Sequence, residues 1–161
     1  MKIIINNCVN IILLIAMLAS FQSSGQGIEK VVKSDSEWKS ILTPEQYYVT
    51  RENGTELAFS GEYDHFYKEG SYICINCGNL LFDSESKFDS GSGWPSYFEP
   101  AKEQSVDIIE DRLFGMVGKE IVCAKCNAHL GHVFEDGPKP TGLRYCVNSV
   151  ALSFTRLNKK K

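Results

Sequence analysis

Cys146 lies in the run Arg144-Tyr145-Cys146-Val147-Asn148-Ser149, and it is the one thiol left over when the other five cysteines are accounted for. Cys74/Cys77 and Cys123/Cys126 form two Cys-x-x-Cys pairs, and Cys8 falls in an apolar N-terminal stretch. A lone thiol shortly after a His-x-x-His pair, here His129 and His132, is raw material for nucleophilic catalysis. Alternate residues of a strand share a face, so Arg144, Cys146 and Asn148 project together, with Tyr145, Val147 and Ser149 on the other side. A guanidinium beside a thiol favours the thiolate, and Arg does not lose its charge. The competing reading is a buried core cysteine, which would be poorly placed between Arg and Asn on its own face.

The two histidines belong to Ala128-His129-Leu130-Gly131-His132-Val133-Phe134. In a regular strand they would face opposite sides. A bulge at Gly131 would bring both round to act as acid or base. The segment 135–142 then forms a rigid connection back into the Cys146 strand. A third element is Asp89-Ser90-Gly91-Ser92-Gly93-Trp94-Pro95-Ser96-Tyr97. Here small residues precede a Trp held by Pro, which suits recognition of an apolar group, the alternative being an ordinary core Trp.

Cys74-Ile75-Asn76-Cys77-Gly78 and Cys123-Ala124-Lys125-Cys126-Asn127 have matching form. Each follows a strand-like run and ends in a residue that tolerates positive φ. Two such knuckles supply four thiolates, a tetrahedral set that suits structural Zn²⁺ and leaves no open position for catalysis. Two disulfides, or redox-active pairs, are the alternative.

The elements that must position these groups are legible in outline. Ser34 or Asp35 can cap a short helix with Trp38, Ile41 and Leu42 on one face. Thr43-Pro44-Glu45-Gln46 starts a second helix, with Thr43 as cap, Pro44 at the first position and Gln46 completing a capping box. It ends near Asn53-Gly54-Thr55, formally a glycosylation sequon but more simply a turn. Beyond it, turn residues recur every eight to twelve positions. Strands are expected at 70–74, 79–82, 106–109, 114–117, 120–123 and 132–134, with a last and longest one over 143–157. The pattern is that of a mainly β protein: two antiparallel sheets in a sandwich or partly open barrel, tied by the four cysteines, with short N-terminal helices.

A chain of 161 residues is one domain's worth. Its formal charge of −3 argues against nucleic acid as a partner. Lys2 and the apolar run from Ile11 to Ala19, followed by small residues, form an export signal over about residues 1–25. An uncleaved membrane anchor is the alternative. Removing the signal takes away one of 17 basic residues and none of 20 acidic ones, giving −4. A polar linker (26–35), a domain (36–157) and a basic tail (158–161) follow. The expected location is periplasmic or secreted, without stable membrane insertion once the signal is cut.

These runs together resemble one family, the methionine-R-sulfoxide reductases, or B-type peptide methionine sulfoxide reductases. The matching residues are Leu42-Thr43-Pro44-Glu45-Gln46-Tyr47, Gly54-Thr55-Glu56, Phe59-Ser60-Gly61, both Cys-x-x-Cys pairs, Lys87-Phe88-Asp89-Ser90-Gly91, Gly93-Trp94-Pro95-Ser96, His129 to Phe134 and Arg144 to Ser149. The resemblance implies a zinc-tied β fold and thiol-dependent reduction of oxidised methionine in peptides or proteins. It implies that Cys146 is the nucleophile, surrounded by Trp94, His129, His132, Asp136, Arg144 and Asn148. Many members carry a second cysteine two residues before the Trp; here that position is Ser92. An external thioredoxin-like or small-thiol reductant is therefore expected to regenerate Cys146. A non-catalytic zinc-binding interaction module and a Cys-His hydrolase are the readings set against this one.

Overall fold

In the computed structural model the described residues are 28–111 and 118–156. The expected export signal, the strand at 114–117 and the basic tail lie outside them. Helix α1 spans Asp35–Ile41 and α2 spans Pro44–Arg51. Ser34 and Thr43 each close a full capping box, with Glu37 and Gln46 as the third residues. Trp38 and Leu42 are buried, but Ile41 is 56% exposed. The helical stripe is thus carried by the i, i+4 pair, and Ile41 turns out to solvent. The expected turn after α2 is present, with Asn53 at φ 56°.

Among the described residues nine strands follow: β1 (Gly70–Cys74), β2 (Leu80–Asp83), β3 (Lys87–Phe88), β4 (Ser96–Tyr97), β5 (Val106–Asp111), β6 (Gly118–Cys123), β7 (His129–Phe134), β8 (Arg144–Val147) and β9 (Leu152–Arg156). They form a three-stranded sheet of order β2-β1-β9 and a six-stranded sheet of order β3-β4-β8-β7-β6-β5. Their pairings are antiparallel, as expected, and neither sheet closes into a barrel. Between the sheets lies an aromatic core. Phe82 stacks on Tyr97 at 4.3 Å, and Tyr72 meets Tyr97 edge-on at 5.2 Å.

The single long strand expected over 143–157 is broken in two. β8 stops at Val147, a 3-10 turn covers Ser149–Ala151, and β9 continues in the other sheet. The cause is a buried carboxylate from elsewhere in the chain. Glu56 accepts the backbone N–H groups of Ser149 at 2.6 Å and Val150 at 2.9 Å. Those donors are lost to any ladder, so the chain must turn there.

The N-terminal approach is docked. Val31 N–H donates to Lys125 O at 2.8 Å, and Lys30 Nζ donates to Ala124 O at 2.6 Å. None of the helices among the described residues is long and apolar enough to cross a membrane.

Candidate active site and metal centre

Cys146 sits on an interior strand, paired with His132 of β7 on one side and Ser96 of β4 on the other. The alternation along β8 is the expected one. Arg144 and Cys146 are partly exposed on one face, and Tyr145 and Val147 are buried.

The bulge expected on β7 is present. Ile121 pairs with Gly131 and Val122 with His129, so Leu130 is the extra residue. It brings the two imidazoles together, with ring centroids 5.5 Å apart. Gly131 has φ 154°, and a Cβ on it would fall 2.0 Å from the carbonyl oxygen of Cys146. Only glycine lets the two strands approach so closely.

A cavity of about 170 Å³ opens over the thiol, lined by Thr55, Trp94, Gly131, His132, Phe134, Cys146, Val147 and Asn148. His132 therefore faces the cavity. His129 does not line it; its ring is 3% exposed, and its Nδ1 lies 2.7 Å from Glu120 Oε1.

Trp94 is partly buried, on a loop bent by Gly91 and Gly93 at φ 68° and 89°. Its indole N–H donates to Glu56 O at 3.2 Å, which holds the ring along the cavity wall. Asn148 lies beyond the end of β8 and is buried. Its amide donates to Leu130 O at 3.0 Å, and its Oδ1 accepts the N–H of Glu56 at 3.0 Å. It lines the cavity while tying the bulge to the Glu56 segment. It is not a simple continuation of the Arg144–Cys146 face.

Arg144 is gripped by Asp136 through two parallel bonds, Nε to Oδ1 and Nη2 to Oδ2, both 2.8 Å. Its guanidinium also lies 4.3 Å from the centre of the Phe134 ring. Asp136 comes from the expected connecting loop, closed by Gly137 N–H to Gly142 O at 3.0 Å. The Arg144 contact holds the Asp136 carboxyl below its usual range.

Arg144 favours the Cys146 thiolate, as the sequence suggested, but does not by itself secure it. Burial pushes the thiol above its ordinary range, and this outweighs the opposing pull of the Ser92 hydroxyl and then of Arg144. Desolvation disfavours the anion more than one guanidinium, already shared with Asp136, can offset. Ser92 Oγ lies 3.7 Å from Cys146 Sγ. Ser90 continues that chain, 2.8 Å from Ser92 and 2.7 Å from Ser96.

Sequence reasoning did not single out Glu56, Glu120, Phe134 or the serine chain as parts of the site. Phe134 was discoverable, since it stands two residues after His132 on the same strand face. Glu56 acts through partners more than 90 residues away, and Ser92 reaches Cys146 across 54 residues.

The four remaining described cysteines converge. Their Sγ atoms all lie within 4.8 Å of one another, with Cys74 and Cys126 3.7 Å apart and Cys77 and Cys123 3.6 Å apart. All five described cysteines are free, and four of them are placed as a metal-binding set and not as two closed pairs. Each knuckle closes as its form suggests. Gly78 N–H donates to Cys74 O at 2.8 Å and Asn127 N–H to Cys123 O at 2.9 Å, with φ 71° and 54° at the two closing residues. The arrangement is able to hold a metal ion.

Comparison with known proteins matches this geometry. The SelR domain family matches residues 42–156. The chain is 57% identical over 124 residues to the peptide methionine sulfoxide reductase MsrB of Bradyrhizobium diazoefficiens, covering 77% of this chain and 89% of that protein. This chain belongs to the MsrB family. The MsrB of Leptospira interrogans is 53% identical over 127 residues, 79% of this chain and 97% of that protein. The MsrB of Pseudomonas fluorescens is 57% identical over 125 residues, with coverage of 78% and 96%. The SelR match runs from just after α1 to the end of β9, so it includes every residue lining the cavity and all four clustered cysteines.

Proposed function

We propose that the protein reduces methionine-R-sulfoxide to methionine, with Cys146 as the nucleophile. The carrying observation is that Cys146, His132 and Trp94 share one cavity, in a chain of the MsrB family. Reduction of a sulfoxide needs a thiolate at sulfur and a proton at oxygen as the S–O bond breaks. Cys146 Sγ attacks the substrate sulfur, and His132, its cross-strand neighbour, delivers the proton. The substrate sulfur gains two electrons and leaves as the thioether. The protonated oxygen passes to Cys146 as the transient S–S bond breaks, leaving a sulfenic acid there. Trp94 and Phe134 form apolar walls for the ε-methyl group, and that packing selects the epimer. Arg144, oriented by Asp136, opposes the burial of charge on sulfur when the thiolate forms.

Regeneration falls to external thiols. Ser92 stands beside Cys146 where a resolving thiol would be needed, and a hydroxyl cannot form a disulfide. Two reductant thiols return Cys146 to the thiol, leaving as a disulfide and water. A thioredoxin-like dithiol or a small thiol meets that requirement.

The clustered cysteines suit Zn²⁺. Four sulfurs about 2.3 Å from a tetrahedral zinc lie roughly 3.8 Å apart, close to the separations of 3.6 and 3.7 Å. Asn79 Nδ2, 3.6 Å from Cys123 Sγ, adds a donor that stabilises thiolate charge. With Cys74, Cys77, Cys123 and Cys126 as ligands the ion is structural and takes no part in the reaction. Export of the mature chain is supported by Lys2 and the apolar run after it.

The test is an assay with the two separate sulfoxide epimers and dithiothreitol. Turnover of the R epimer alone, abolished in Cys146→Ser, is the expected result. Activity surviving in Cys146→Ser removes this reading and leaves the chain's cysteine without the assigned role.

A further inference from the structure

The proton-handling side of the site extends beyond the cavity. His129 is buried, and its Nδ1 lies 2.7 Å from Glu120 Oε1. Glu120 is itself largely buried, its side chain 12% exposed. A carboxylate oxygen accepts and does not donate, so Nδ1 carries the hydrogen of this pair. The other ring nitrogen, Nε2, is buried with no hydrogen-bond partner. A buried polar atom left without a partner is unfavourable unless it has a use. The ring packs against His132, inclined at 64° with centroids 5.5 Å apart, and His132 faces the thiol cavity.

The strand register explains how Glu120 comes to lie beside both histidines. Glu120 on β6 is the cross-strand partner of His132, and the bulge at Leu130 returns His129 to the same neighbourhood. Glu120 is thus nine residues from one histidine and twelve from the other in sequence, yet beside both in the sheet.

We propose that Glu120 is a positioning residue for the reductase reaction. It holds His129 as the Nδ1–H tautomer and so fixes the ring that packs against His132, which keeps His132 aimed at the thiol cavity. His132 gives its own proton to the sulfoxide oxygen and takes its replacement from solvent reaching the cavity, because Nε2 of an Nδ1–H ring carries no proton to pass on. No proton is gained or lost overall beyond the one delivered to oxygen. The inference rests on the reading that Cys146 and His132 reduce the R epimer.

The experiment uses the full chain as wild type, Glu120→Gln and Glu120→Ala. Three readouts are taken together: ¹⁵N NMR of the imidazole nitrogens, single-turnover reduction of an R-sulfoxide peptide, and alkylation of Cys146 by iodoacetamide. Wild type shows His129 protonated at Nδ1. Glu120→Gln keeps an oxygen acceptor, so it keeps that tautomer and stays within about threefold of the wild-type rate. Glu120→Ala loses the tautomer, and its rate falls by about tenfold or more, a size ordinary for disturbed general acid catalysis. In that variant KM and Cys146 alkylation stay within about twofold, which separates positioning from a general loss of structure.

The inference is overturned by Nε2–H in wild-type His129, a result that needs no variant to fold. It is equally overturned by a wild-type rate in Glu120→Ala, by Glu120→Gln failing as badly as Ala with its tautomer intact, or by a rate loss matched in KM and alkylation. If wild type itself does not reduce the R epimer, the failure lies in the underlying reading, and the inference goes with it.

Discussion

The reactivity proposed for Cys146 runs against the grain of its surroundings. Burial disfavours the anion, while Ser92 and Arg144 favour it, and burial prevails in the resting protein. The thiol should therefore alkylate slowly near neutral pH, and the rate should climb with pH past the ordinary thiol range. Removing Arg144 takes away one of the groups that pull the pKa down, so Arg144→Met moves the curve to still higher pH. At pH 8 its iodoacetamide rate should fall several-fold, because below the pKa the thiolate fraction drops about tenfold for every pH unit by which the curve moves up. Asp136→Asn should move it the other way, to lower pH and by less, since the guanidinium is no longer shared with a carboxylate. Curves unchanged in both variants would remove Arg144 from this role. At this scale Cys146, the pair His129 and His132, Arg144 and Trp94 were legible in the sequence as candidates, because each lies in a short run with a local pattern of its own, although that pattern did not say which histidine faces the cavity. Glu56 was not legible as an organiser. Its partners Asn148, Ser149 and Val150 lie over 90 residues away, and no local pattern encodes that distance.

The strands succeed or fail by where their backbone hydrogen bonds go. Gly131 marked the bulge in the sequence, and the structure shows why no other residue serves. Gly131→Ala places a methyl against the Cys146 carbonyl oxygen, on the strand that carries the nucleophile. We expect a loss of about 2–4 kcal/mol in urea unfolding, the range of backbone strain combined with a forced shift of packed groups. Activity should fall further than stability does, because the shift separates His132 from Cys146. A variant as stable and active as wild type would contradict the close approach of β7 and β8. The break after Val147 escaped the sequence because residues 143–157 do carry a strand-like composition throughout. What ends β8 is Glu56 capturing two N–H groups, a tertiary effect that overrides local propensity. Ile41 was misplaced for a simpler reason. A seven-residue helix has room for one buried pair, and Trp38 with Leu42 already fills it.

Across the whole molecule the four clustered cysteines join the two sheets. Cys74 and Cys77 follow from β1 of the three-stranded sheet, and Cys123 and Cys126 follow from β6 of the six-stranded one. The matched knuckles made this cluster legible, although 46 residues separate its nearer cysteines, Cys77 and Cys123. The division of strands between sheets was not legible, because it depends on the broken chain at Ser149. Removing the metal, or replacing Cys123 with Ser, should uncouple the sheets. We expect Tm to drop by roughly 10 °C or more, followed by calorimetry alongside metal analysis of the purified chain. A metal-free protein with unchanged Tm would contradict the tie. The account as a whole depends on Cys146 taking the substrate's oxygen with Ser92, not a thiol, beside it among the described residues. The most direct measurement is a single turnover on an R-sulfoxide peptide without reductant, with the products read by mass spectrometry after trapping with dimedone. One methionine per chain and a dimedone adduct on Cys146, with no intrachain disulfide, is the predicted result; methionine formed with Cys146 unmodified, or joined to another cysteine of the chain, would contradict it.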